Sequence, residues 1–284
     1  MRSRPTIPFG GSDMYVLEPE YVAARGALLD ALAALEGHRD QLVLVGAQAV
    51  YHHTGEADLN IPLMTTDADL AINASALADA PEIGGALRAA GFRAGVNPGH
   101  WIGAGEVAVD LMVVPHQANT AKSTARAARL APHDPATARI ARGLEPALVD
   151  HGVVQLAALD ADDDRSFDVR VAGPSALLVA KTIKIAERLV QADTQPTRLK
   201  QKDALDVFRL LQAVETDVFA DGLTKHRSDT FAGAVSREAL DELRAHGSEE
   251  GHVMPRLATD AMSGDPTVAP SFAYLVRQVL EAVH

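Results

Sequence analysis

Along residues 19–35 apolar side chains recur at Val22, Leu28, Leu29, Leu32 and Leu35, which places them on one side of an amphipathic helix. The pattern then changes. Leu42-Val43-Leu44-Val45 is an unbroken apolar run ended by Gly46; it predicts a short buried strand, with a helix over 47–53 directly after it. Residues 67–72 predict a second strand, and residues 75–90 a helix stopped by Gly91. Residues 92–94, 100–102 and 107–114 predict three more strands, the last two joined by a tight hairpin at Gly103-Ala104-Gly105. The stretch 117–150, with its Ala, Arg and Pro, predicts loops and a short helix. Residues 153–159 and 167–171 predict a hairpin pair whose solvated turn is the acidic run 160–164. After Gly173-Pro174 the pattern is helical to the end, strongest over 175–190, 198–214 and 271–283. Pro174 stands where the first position of a helix tolerates it.

These elements divide the chain into a loose segment over 1–18, an α/β part over 19–172 and a mostly helical part over 173–284. The 284 residues suffice for one large domain or two modest ones, and 47% apolar content can form a sizeable core. There is no cysteine, which excludes a disulfide scaffold, a zinc-thiolate centre and a cysteine nucleophile together. No apolar run approaches the roughly 18–20 residues that cross a bilayer. The first twenty residues hold no apolar segment of the signal-peptide kind. A soluble, cytoplasmic protein without a membrane partner is expected. The net charge of −12 argues against a surface coated for nucleic acid, and 4% aromatic content against base-stacking platforms. Local basic clusters nevertheless exist. Residues 122–142 hold Lys122, Arg126, Arg129, Arg139 and Arg142 against the single acid Asp134, and Arg198, Lys200 and Lys202 follow later.

The chemistry centres on Thr65-Thr66-Asp67-Ala68-Asp69. On a strand, residues two apart share a face, so Asp67 and Asp69 set two carboxylates side by side. Charges so close repel, and one proton is held more tightly unless a cation lies between them. Such oxygen ligands suit Mg²⁺, with Mn²⁺ a possible substitute. The plainer alternative is an edge strand with both carboxylates solvated. Asp110 interrupts the otherwise apolar run 107–114, and an ionised Asp inside a buried strand needs backbone amides, an Arg or a metal ion as partner. Gly46 and Ala47, at a strand-to-helix junction, would let a triphosphate approach a helix N-terminus. Lys181, Lys184 and Arg188 fall on one helix face at i, i+3 and i+7, either as a phosphate-binding row or as a solvated face. Asp203 and Asp206 are i, i+3 neighbours: Asp206 suits a salt bridge to Lys202 or Arg209, and Asp203 could orient Lys181 across two packed helices. Serine-hydrolase, zinc-protease and P-loop motifs are absent.

Gly46-Ala47, Asp67-Ala68-Asp69 and Val109-Asp110-Leu111, in this order, resemble the DNA polymerase β-like nucleotidyltransferase superfamily. The helical part narrows the likeness. Lys181 to Arg188 and Lys202-Asp203-Ala204-Leu205-Asp206-Val207 resemble two motifs of AbiEii/AbiGii-type nucleotidyltransferase toxins, a group with tRNA-modifying members. The likeness covers about residues 40–214. It departs from the family where a Gly-Ser pair becomes Gly46-Ala47; Thr65 and Thr66 are the candidates to replace the missing hydroxyl. The resemblance implies a mixed α/β sheet with flanking helices followed by a helical domain. It also implies transfer of a nucleoside monophosphate from an NTP to an acceptor, the 3′ end of tRNA in such toxins, with an antitoxin as partner. Asp67, Asp69 and Asp110 would then hold metal, with Asp67, Asp69, Lys181 and Asp203 catalytic. Gly46, Ala47, Thr65, Thr66, Lys181, Lys184 and Arg188 would bind nucleotide. A small-molecule or protein acceptor, or a catalytically silent regulatory relative, are the alternatives.

Overall fold

The computed structural model describes residues 17–55, 63–122, 124–192 and 195–283. Most of the segment expected to be loose, 1–18, lies outside them. Helix α1 (Pro19–Ala34) leads to strand β1 (Leu42–Val45), every residue of which is buried. Helix α2 (Gly46–Thr54) starts at the glycine itself. Strand β2 (Asp67–Ile72) follows, and then helix α3 (Ile83–Ala89). The helix expected over 75–90 is shorter than its pattern because Pro81 lacks an amide proton and keeps the residue before it out of the helical region. Glu82 restarts the helix by accepting from the amides of Gly84 and Gly85.

Strands β3 (Arg93–Ala94), β4 (His100–Ile102) and β5 (Ala108–Val113) stand where three strands were expected; β4 and β5 pair antiparallel as a hairpin, and β3 also pairs antiparallel with β4. The middle stretch contributes a two-residue strand, β6 (Arg139–Ile140), parallel to the end of β5. Strands β7 (His151–Ala157) and β8 (Ser166–Ala172) are the expected hairpin. Together they make a mixed eight-stranded sheet in the order β3-β4-β5-β2-β1-β8-β7, with β6 paired to β5. β5 is therefore interior, as its two-sided apolar run requires.

Helices α4 (Pro174–Val190), α5 (Gln201–Ala213), α6 (Thr216–His226), α7 (Thr230–His246), α8 (Val253–Ala261) and α9 (Val268–Ala282) complete the fold. α4 and α5 pack on each other and on α2. One continuous apolar core runs from α1 and the sheet into these helices: Leu28, Leu44, Leu70 and Leu111 belong to it, and so do Leu178, Phe208 and Phe272. That continuity fixes α4 rigidly above the strand ends where the acidic residues lie.

Candidate active site

The ends of β1, β2, β5 and β6 open into a cleft of about 830 Å³, whose opposite wall is one face of α4. Asp67 and Asp69 alternate with the buried Ala68 and Leu70, so both carboxylates reach the cleft side. The parallel register of β2 and β5 sets Asp69 directly opposite Asp110. Three acids distant in sequence are thereby brought to one face of the sheet.

Gly46 is required here for two reasons. Its φ is +71°, a left-handed conformation costly for other residues. A Cβ at this position would lie 2.0 Å from Asp69 Oδ2. The backbone of the strand-to-helix junction and the Asp69 carboxylate thus occupy neighbouring space that only glycine leaves open.

Asp67 is held by local bonds. The Thr65 hydroxyl donates to Asp67 Oδ1 at 2.8 Å, and the Gln48 amide donates to the Asp67 carbonyl at 3.2 Å. Gln48 is held in turn by the buried Arg25, whose Nε donates to Gln48 Oε1 at 2.9 Å. Asp69, with 21% of its side chain exposed, has its pKa raised to about 6. Burial is the main cause, with the charges of Asp67 and Asp110 adding to it and those of Lys184 and Arg139 opposing it. Asp110 is fully engaged. His100 Nδ1 lies 2.7 Å from its Oδ1, and Arg139 donates to its Oδ2 at 3.2 Å. The same Arg139 nitrogen is 4.0 Å from Asp69 Oδ1.

On the helical wall, Asp203 is a buried hub. Its carboxylate pairs with Lys184 at 2.8 Å, with Lys181 at 3.5 Å and with the Arg188 guanidinium. Burial alone would raise its pKa, but these cations outweigh that and hold it below the usual carboxylate range. Lys181 donates to Asp206 Oδ2 at 2.6 Å. Burial works against its charge, yet Asp206 and Asp203 more than compensate, and the ammonium stays protonated far above neutrality. Lys184 is different: 45% of its side chain is exposed, and partial desolvation together with the neighbouring Lys181 charge lowers its pKa. The most available of the helix cations is therefore Lys184, while Lys181 is anchored behind it.

Of the residues singled out from sequence, Gly46, Asp67, Asp69, Asp110, Lys181, Lys184 and Arg188 all line this cleft. Asp203 stands behind them as their counter-ion. Ala47 is buried, Thr65 serves Asp67, and Thr66 is exposed; none of these three lines the cleft. Thr65 thus helps to hold Asp67 in place. Sequence reasoning did not single out Asp206 as the closest partner of Lys181, although its place in the Asp203-x-x-Asp206 spacing signals it. Arg139 stood out only as one member of a basic cluster, and His100 and Gln48 carried no local signal, because their partners are set by strand register and by the packing of α2 on β2.

Among the described residues, no group of three or more His, Asp or Glu side chains is arranged to hold a metal ion. What the site offers is a pair. Asp67 and Asp69 are all-oxygen donors on one face, and Asp69 has its pKa raised mainly by burial and then by the charges of Asp67 and Asp110, an imbalance that Lys184 and Arg139 only partly offset. That donor set and that imbalance fit a hard divalent cation such as Mg²⁺ or Mn²⁺. Asp110, engaged on both oxygens, is less suited.

A family model described as Nucleotidyltransferase matches residues 23–230, a span that contains every acid and cation of the cleft. The chain belongs to this nucleotidyltransferase family. Its class is accordingly a transferase of nucleotidyl groups with an NTP as substrate. Neither a curated protein nor a solved structure matches the chain. No helix among the described residues is long and apolar enough to cross a membrane.

Proposed function

We propose that the protein transfers a nucleoside monophosphate from an NTP to the 3′ end of an RNA, with tRNA as the acceptor. The observation that carries the RNA reading is the charge of the cleft. Among the described residues, eight Lys and Arg line it against four Asp and Glu, in a chain whose net charge is −12. The two basic clusters noted in the sequence contribute to one wall system: Lys122, Arg126, Arg139 and Arg142 from one, Arg198 from the other. Arg129, Lys200 and Lys202 do not line it. A cleft so biased concentrates polyanions.

Nucleotidyl transfer is an in-line displacement at the α-phosphorus, in which positioning and charge neutralisation dominate. Gly46 leaves room for the Asp69 carboxylate beside the junction of β1 and α2. Lys184 and Arg188 face the cleft as phosphate contacts, and Asp203 fixes where their charges sit. Lys181, locked by Asp206, contributes an unmoving positive charge. Asp67 and Asp69 would hold Mg²⁺ or Mn²⁺, which when bound supplies charge neutralisation at the reacting phosphate. A carboxylate left free of the metal would take the proton of the acceptor hydroxyl. The likeness of the Lys181–Arg188 and Asp203–Val207 motifs to toxin-type transferases supports a role as the toxin of a toxin–antitoxin pair, with a protein antitoxin as partner.

The test is incubation with each labelled NTP, Mg²⁺ and total tRNA, beside an Asp69→Asn control. Label in RNA that is lost in the control is the expected result. Label on a small molecule or protein instead refutes the RNA acceptor, and the lack of any Mg²⁺-dependent transfer refutes the catalytic reading. Suppression by the product of an adjacent small gene tests the antitoxin.

A further inference from the structure

We propose that Arg139 is a built-in counter-ion that keeps Asp110 out of metal ligation, so that Asp67 and Asp69 alone carry the divalent cation. The inference rests on the metal reading above and goes beyond it, because it gives the third acid a different task. Three observations support it. Strand β6 exists only as a two-residue extension beside β5, and its register sets Arg139 across from Met112, one step along the same face from Asp110. From there its guanidinium reaches Asp110 at 3.2 Å and lies 4.0 Å from Asp69, which places a fixed positive charge between the two carboxylates. Meanwhile His100 holds the other Asp110 oxygen at 2.7 Å. Both Asp110 oxygens therefore have protein partners, and no three-ligand cluster forms among the described residues.

A guanidinium placed this way does part of what a cation would do. It neutralises Asp110, whose charge would otherwise add to that of Asp69. It also lines the cleft, where it can meet a phosphate oxygen. Among the described residues no Lys or Arg forms an ion pair with Asp67, whose carboxylate accepts instead from the neutral Thr65 hydroxyl. Asp67, and Asp69 apart from its longer 4.0 Å contact with Arg139, are thus left for an exchangeable ion, while the acid on β5 has the closer guanidinium.

The experiment is Mn²⁺ binding to the whole chain, read from the loss of the free-ion electron paramagnetic resonance signal, for wild type, Asp69→Asn, Asp110→Asn and Arg139→Ala. Asp69→Asn is expected to lose binding, and Asp110→Asn to weaken it by no more than about tenfold, the single-charge effect of leaving Arg139 free beside Asp69. Arg139→Ala is expected to bind about tenfold more tightly, because one positive charge leaves and one carboxylate becomes free. Arg139→Lys, which keeps the charge, is expected to stay near wild type and covers the case in which the alanine variant does not fold. If Asp110→Asn weakens Mn²⁺ as much as Asp69→Asn does, Asp110 is a ligand and this proposal is overturned while the metal reading stands. If the wild type does not bind Mn²⁺ at all, both fall.

Discussion

Asp69 carries a cost that can be measured. A carboxyl of this type ordinarily titrates at 3.8, and burial beside Asp67 and Asp110 raises Asp69 to about 6. The folded protein therefore holds this proton more tightly than the unfolded chain does. Above pH 6 the ionised group opposes folding in full; as pH falls through 6 toward 3.8 the penalty disappears. Each pH unit between the two values is worth about 1.4 kcal/mol, which makes the penalty roughly 2–3 kcal/mol after allowance for partial exposure. Asp69→Asn keeps the shape and removes the charge. In EDTA at pH 7.5 the variant is expected to be more stable than wild type by that amount, a rise in melting temperature of about 5 °C or more. At pH 4 the two are expected to melt together. Mg²⁺ is expected to restore much of the difference by stabilising wild type and not the variant. Thermal melts across pH 4–8, with and without Mg²⁺, read all three. A variant no more stable than wild type at pH 7.5, or an advantage unchanged at pH 4, would refute the electrostatic account of this carboxylate.

Three other perturbations probe different parts of the cleft. Asp206→Asn removes the closest partner of the buried Lys181 and is expected to cost about 3 kcal/mol in urea unfolding, because the ammonium keeps only the longer contact to Asp203. Gly46→Ala is expected to cost about 1–2 kcal/mol from the left-handed backbone alone and to displace the Asp69 carboxylate, so nucleotidyl transfer should fall far more than stability does. Lys122 and Arg126 have no carboxylate partner among the described residues, so replacing both by Ala should weaken tRNA binding. It should also reduce the slope of log affinity against log salt by about 1–2, while NTP binding measured without RNA stays at the wild-type level. An unchanged salt slope would remove these two residues from the RNA path.

Much of this was legible in the chain itself. Local rules act over a few residues, so an apolar run ended by Gly46, a strand that alternates acid and apolar residues from Asp67, and cations at helical spacing along Lys181, Lys184 and Arg188 are readable one segment at a time. The helix over 75–90 failed on a local feature as well, Pro81, whose effect outweighs the apolar spacing. Helices α6, α7 and α8 were covered only by the general helical reading after Gly173-Pro174, and the two-residue strand β6 is too short to carry a pattern.

The sequence by itself determined which side chains could do chemistry: two acids on one strand face, a third inside a buried strand, a glycine at a helix start and a row of cations. Only the tertiary structure decided who faces whom. Parallel pairing of β2 with β5 put Asp69 opposite Asp110, the β5–β6 register delivered Arg139 between them, and the packing of α5 on α4 made Asp203 and Asp206 the anchors of Lys181. The division has a physical cause. Backbone propensity and periodicity are properties of neighbours in the chain, whereas the charge balance of a cleft depends on distances of a few ångströms between segments that meet only when one shared core closes around them.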